Sequence, residues 1–72
     1  MVRTVRELSR DEMTELKQNY LFMHLYEVAG RNPSMYELQN VDNYISDEYM
    51  YEYYADYTFT SDDFFCNTEN NA

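Results

Sequence analysis

The sequence is poor in the residues that build tight turns, disulfides and metal sites. It has one cysteine, one glycine, one proline and no tryptophan among 72 residues. A single cysteine cannot form an intramolecular disulfide, which predicts a reducing cytoplasmic setting. One glycine and one proline leave little material for β-hairpins. No run approaches the roughly 20 apolar residues of a membrane span, so we expect no membrane association.

Basic residues are absent from residue 32 onward. Residues 1–31 carry five bases and five acids, whereas residues 32–72 carry nine acids, so the net charge of −9 lies entirely in the second part of the chain. An acidic surface repels nucleic acid and attracts basic surfaces. The asymmetry therefore predicts a basic protein partner and no direct contact with nucleic acid. Plain solubility is the alternative explanation of this charge.

Aromatic residues are abundant and argue for a folded core. Nine tyrosines and four phenylalanines make up 18% of the chain, whereas disordered chains are poor in aromatics. The mean hydropathy of −0.79 is low. Much of this low value comes from tyrosine, which the scale counts as polar although its ring buries well. We expect one helical domain over residues 1–66 and a flexible, disordered tail over residues 67–72.

Capping signals predict an all-α fold, a small three-helix bundle with a short C-terminal helical turn. A helix from Ser9 should run to Ala29 and stop at Gly30, which tolerates the left-handed conformation. The predicted starts are two capping boxes, a serine cap and a weaker threonine cap: Ser9 with Glu12, Ser34 with Glu37, Ser46, and Thr60 with Asp63. Residues 2–5 and 57–60 are strand-like, but neither has an evident sheet to join.

Helical spacing predicts which residues face inward. In the first helix Met13, Leu16, Tyr20 and Met23 share one face, and in the second we expect Met35, Leu38 and Val41 to point inward. Residues 20–26 are apolar nearly all round, so this segment is central to the bundle or faces a partner. An apolar patch at Phe22, Leu25 and Tyr26 supports an alternative function, a small adaptor or homodimeric regulator. The oligomeric state stays open.

The third helix should separate acids from tyrosines. Glu48, Glu52 and Asp56 recur every four residues on one face, opposite a face of Tyr49, Met50, Tyr53, Tyr54 and Tyr57. The first turn adds acids where the helix dipole favours them. The candidate partner-binding residues are Asp47, Glu48, Tyr51, Glu52, Asp56, Asp62 and Asp63. Phe59, Phe64 and Phe65 are expected to fold back as a lid on the bundle.

Catalytic and metal chemistry have little support. His24 and Cys66 are single, and no spacing typical of a zinc site occurs. We predict no catalytic residue, no metal, no cofactor and no enzyme activity, because nothing orients a nucleophile or a base. We expect His24 to be packed and hydrogen bonded.

Residues 33–38 and 45–50 resemble the two helices of a helix-turn-helix pair, through the P-S-x-x-E-L opening and the I-S-D-E cap. The resemblance implies a DNA-binding regulator, which is a second alternative function. The charge opposes it, because the second helix would carry Asp47, Glu48, Glu52 and Asp56 toward the phosphates.

Three short motifs carry a resemblance that spans most of the chain. Residues 8–12 (LSRDE), 15–18 (ELKQ) and 62–66 (DDFFC) are similar to a family of small acidic proteins of phages and mobile elements in Gram-positive gut bacteria. In size and charge alone, the chain also resembles anti-CRISPR and anti-restriction proteins that mimic DNA. The first resemblance implies a phage or mobile-element setting and no particular activity. The second, together with the acidic face, supports a non-enzymatic inhibitor of a basic, nucleic-acid-handling host protein, such as a nuclease or a CRISPR effector.

Overall fold

The computed structural model describes residues 2–64 and has the predicted small all-α fold. Its three α-helices are α1 (Arg10–Ala29), α2 (Met35–Gln39) and α3 (Asp47–Tyr53). Three single-turn 3₁₀ helices accompany them: η1 (Val5–Glu7), η2 (Val41–Asn43) and η3 (Ser61–Asp63). The helices are very unequal, since α1 has 20 residues and α2 has five. The predicted tail, with Phe65 and Cys66, lies outside the described residues.

Local hydrogen bonds set the helix boundaries as predicted. At the start of α1 the Glu12 amide donates to the Ser9 hydroxyl (3.2 Å), and the Ser9 amide donates to the Glu12 carboxylate (2.8 Å). Ser34 and Glu37 repeat this capping box on α2. Gly30 ends α1 with φ 64° and ψ 30°, a conformation that costs glycine little. The three predicted α-helix starts are therefore confirmed, including the Ser46 cap on α3.

The core lies between η1, the first half of α1, η2 and α3. Its central side chain is Met50, which is 0% exposed. The buried apolar residues are Val5, Met13, Leu16, Leu21, Val41, Ile45, Met50, Phe59 and Phe64. Few side chains are available in a domain of this size, so caps and ion pairs are a substantial part of its small net stability.

One antiparallel β-bridge joins the two ends of the described chain. The amide of Arg3 donates to the carbonyl of Phe59 (2.8 Å), and the amide of Phe59 donates to the carbonyl of Arg3 (2.7 Å). The two strand-like segments thus pair with each other. The bridge returns the chain to η1 and buries Phe59 and Phe64, as expected for the predicted lid. Its third member, Phe65, lies outside the described residues.

Most of α1 after Leu21 is exposed, and two expected core positions are wrong. Met23 is 55% exposed, although it shares a helical face with the buried Leu16. Met35 is 70% exposed because it begins a helix of only five residues. Leu38 is half-buried and Val41 is buried, so the second element contacts the core only through its end. No helix within residues 2–64 is long and apolar enough to cross a membrane.

Candidate functional site

The acids of the third helix form a shorter row than predicted. Glu48 and Glu52 lie on α3 and are exposed. The helix ends at Tyr53, and Tyr54 leaves helical geometry with φ −104° and ψ 25°. Asp56 therefore lies in the turn after α3, and the predicted regular row of three carboxylates on one helix is wrong. The physical reason is long-range: Tyr54 packs against the core, and the chain then reverses toward the bridge with Arg3.

Asp47 belongs to an ion-pair cluster around the buried Lys17 and is not a free surface acid. The ammonium of Lys17 lies 2.6 Å from Asp47 and 2.7 Å from Asp42, and the Lys17 side chain is 3% exposed. Burial acts to lower the pKa of Lys17, but hydrogen bonds to the two carboxylates outweigh burial and raise it. The hydrogen bond from Lys17 also lowers the pKa of Asp42. The ion pair of Asp47 with Lys17 thus connects α3 to α1.

Tyr51 also has a partner inside the molecule. The guanidinium of Arg6 lies 4.4 Å from the centre of the Tyr51 ring, a cation–π contact between η1 and α3. The ring is half-buried and packs against the core. The helical projection placed Tyr51 beside the acids, but this ring is occupied by Arg6 and stabilises the fold.

The two acids of η3 differ in role. Asp63 accepts a hydrogen bond from the Thr60 amide (2.7 Å), which closes the turn at its start. The predicted weak cap at Thr60 is therefore present only in part, because the Asp63 amide donates to the carbonyl of Thr60 and not to its hydroxyl. Asp62 is exposed, and no ion pair within residues 2–64 involves it.

Every basic side chain of the protein is engaged inside the molecule. The pairs are Arg3 with Glu12, Arg6 with Tyr51, Arg10 with Asp42, Lys17 with Asp42 and Asp47, and Arg31 with Glu37. Glu48, Glu52, Asp56 and Asp62 form no ion pair within the described residues. We call these four carboxylates the acidic segment. Its charge is left uncompensated by the rest of the described chain.

An open groove of about 630 Å³ lies between α1 and residues 40–46, the connector that joins α2 to α3. Leu21 and Ile45, both core residues, line it together with the rings of Tyr20, His24 and Tyr49. His24 is exposed and stacks on Tyr20, with ring centres 5.7 Å apart and planes 11° apart. The expectation of a packed histidine is therefore wrong. Sequence reasoning missed this groove, since its walls come from segments that are distant in the chain.

A tyrosine cluster fixes α1 against α3 at one side of the groove. The hydroxyls of Tyr20 and Tyr49 are hydrogen bonded at 2.5 Å, and the two rings meet edge to face. This hydrogen bond, together with burial, raises the pKa of Tyr20 to about 12. Tyr53 also contacts Tyr20 edge to face, at 5.1 Å between ring centres. The predicted tyrosine face of α3 is shorter than expected, because Tyr54 and Tyr57 lie beyond the end of the helix. Tyr49 and Tyr53 remain on it and are more than 40% exposed.

The connector between α2 and α3 bears on the helix-turn-helix alternative. It comprises the seven residues 40–46, which include η2. Helix-turn-helix motifs join their helices by a turn of about three to four residues. The second helix of the pair also presents Glu48 and Glu52 to solvent, where a DNA-binding helix presents donors and cations.

Within residues 2–64 no group of three or more histidine, cysteine or carboxylate side chains is arranged to hold a metal ion. Comparison with protein-family models, with curated proteins and with solved structures finds no match to this chain.

Proposed function

We propose that the protein is a non-enzymatic inhibitor, carried by a phage or mobile element, that covers the nucleic-acid-binding surface of a basic host protein in the bacterial cytoplasm. The observation that carries this proposal is the acidic segment. Its four carboxylates have no cation within the described chain, whereas all five basic residues are engaged elsewhere. A nuclease or a CRISPR effector has the basic nucleic-acid-binding surface that these carboxylates would contact.

The spacing of the carboxylates is compatible with imitation of a phosphate backbone. Glu48 and Glu52 are one helical turn apart, about 6 Å along the axis. Phosphates on one DNA strand advance about 3.4 Å each, so the two acids match every second phosphate. Asp56 lies in the turn after α3, and Asp62 lies in η3.

A basic partner would also relieve repulsion within the protein. Like charges four residues apart on a helix destabilise it by about 0.2–0.5 kcal/mol, which applies to Glu48 and Glu52. Opposite charge across an interface accelerates association and makes it sensitive to salt.

The test is capture of the partner from host lysate on immobilised protein, followed by elution with duplex DNA. The proposal predicts a basic protein that binds at about 50 mM salt, leaves at about 500 mM, and is released by duplex DNA at the lower concentration. Capture that is indifferent to both salt and DNA would refute the proposal.

A second candidate function, a homodimeric regulator, has one specific observation in its favour. Phe22, Met23 and Tyr26 on the second half of α1 are 40%, 55% and 70% exposed. Glu27 is the only charge in residues 20–29, so two copies could pack these faces without repulsion there. Sedimentation equilibrium separates the two candidates: a dimer that Tyr26→Glu converts to a monomer supports the regulator, and a monomer at all concentrations excludes it.

A further inference from the structure

The groove between α1 and the connector has acidic rims, and no lysine or arginine of the described chain lines it. Glu37 and Asp42 both reach it, but the cations that pair with them do not. The ammonium of Lys17 donates to Oδ1 of Asp42 at 2.7 Å. The guanidinium of Arg10 lies 3.6 Å from Oδ2, which is beyond hydrogen-bond distance. Oδ2 of Asp42 thus forms a long ion pair with Arg10 but accepts no hydrogen bond from it.

The same groove has aromatic walls. Tyr20 and His24 lie side by side with nearly parallel rings, Tyr49 meets Tyr20 edge to face, and Tyr44 lines the groove from the connector. Tyr44 is 53% exposed. Tyrosine rings beside a carboxylate recognise a planar cation, because a guanidinium both stacks on rings and donates to carboxylates in a fixed fork.

Both kinds of contact, a guanidinium over a tyrosine ring and a guanidinium that donates to a carboxylate, occur within the chain itself. The guanidinium of Arg6 lies over the Tyr51 ring at 4.4 Å. The guanidinium of Arg31 donates twice to Glu37, at 3.1 Å each. Lysine is a compact, strongly hydrated charge that forms neither contact as well.

We propose that the groove is the docking site for an arginine side chain presented by the basic partner. This inference rests on the proposed function and names the group that the partner must supply. Tyr49 lines the groove from α3, the helix that also carries Glu48 and Glu52. A partner that contacts Glu48 and Glu52 must therefore extend around α3 to place an arginine in the groove, because the helical projection puts these acids on a different face from Tyr49.

The experiment compares hexa-arginine and hexa-lysine peptides, which have equal charge, by titration calorimetry at low salt. The full chain should bind hexa-arginine at least about threefold more tightly, as expected for stacking on exposed rings. His24→Ala and Tyr44→Ala should each reduce this preference. Tyr36→Ala is the matched control, because Tyr36 is 63% exposed and lies outside the groove. Circular dichroism checks that each variant is folded.

The outcomes separate the two proposals. Equal affinity for the two peptides, lowered for both by Glu52→Lys, would overturn the arginine site and leave the acidic segment in place. An arginine preference that Tyr36→Ala removes as strongly as Tyr44→Ala would also overturn the site. If neither peptide binds, both the arginine site and the proposed function fail.

Discussion

The ammonium of Lys17 lies 2.6 Å from a carboxylate oxygen of Asp47 and 2.7 Å from one of Asp42, and the Lys17 side chain is almost completely buried. The ion pair connects the middle of α1 to the first residue of α3. It neutralises a carboxylate that the sequence places at the start of the acidic helix. The proposed site for a basic partner is therefore centred on Glu48 and Glu52, which lie after Asp47 on α3.

Replacing Lys17 should destabilise the protein strongly. Lys17→Met leaves the half-exposed carboxylates of Asp42 and Asp47 without their cation, and we expect a loss of about 1–2 kcal/mol in the free energy of unfolding, measured by urea denaturation. Arg10→Met is the matched control, because the Arg10 side chain is 76% exposed and its pair with Asp42 is long. The control should lose less than about 0.5 kcal/mol. Equal losses would contradict the role assigned to Lys17.

Asp47 and Glu52 should differ in binding, although each replacement removes one negative charge. Glu52→Gln removes an uncompensated charge and should weaken binding of the basic partner by about 1 kcal/mol or less, up to about fivefold. Asp47→Asn removes a charge already neutralised by Lys17 and should change affinity by less than about twofold. Calorimetric titration with hexa-lysine provides the comparison. A larger effect at Asp47 would show that its carboxylate contacts the partner.

The pair of Arg3 and Glu12 should govern stability in acid. Two hydrogen bonds from Arg3, at 2.7 and 2.6 Å, lower the pKa of Glu12 from 4.5 to about 2, against the opposing effect of burial. A carboxyl with a lowered pKa stabilises the fold above its unfolded pKa, and this stabilisation is lost as pH falls toward 2. Glu12→Gln should therefore flatten the loss of stability between pH 4.5 and 2. An unchanged slope in urea titrations over this range would refute the assignment.

Tyr20 should titrate later than an ordinary tyrosine. Its hydrogen bond with Tyr49 raises the pKa to about 12 from a usual value of 10.0. The bond stabilises the fold while both hydroxyls are protonated, and this contribution is lost as pH rises from 10 through 12. In Tyr49→Phe the late phase of an ultraviolet absorbance titration should move toward 10. Burial also raises the pKa of Tyr54, so a smaller late phase remains in this variant. An undiminished phase near 12 would contradict the assignment to Tyr20.

Local patterns predicted the helix starts because they depend on contacts three residues apart. Ser9 with Glu12 and Ser34 with Glu37 form the capping boxes that their spacing indicates. The end of α3 was not predictable in this way. It depends on the packing of Tyr54 against the core and on the distant bridge of Phe59 with Arg3. Helical periodicity extended α3 to Asp56 because it contains no information about that reversal.

The candidate site was predicted only in part for a similar reason. Sequence identifies an excess of acids, but it does not identify which acids are neutralised by cations from another segment. Lys17 is distant in sequence from Asp42 and Asp47 yet pairs with both. The groove likewise combines Tyr20 and His24 of α1 with Tyr44 of the connector, and no short motif links them.

The acidic segment is tested most directly by two matched charge reversals. Glu52→Lys and Glu27→Lys make the same substitution on exposed helical positions, and neither glutamate forms an ion pair within the described residues. Neither change should unfold the protein, because Glu52→Lys relieves repulsion with Glu48 and Glu27→Lys places a cation near the end of α1. The measurement is the affinity of each variant for the captured basic partner at low salt. The proposed function predicts at least a tenfold loss for Glu52→Lys, about 1.4 kcal/mol, and about threefold or less for Glu27→Lys. Equal losses would show that net charge alone attracts the partner and would contradict a localised acidic site.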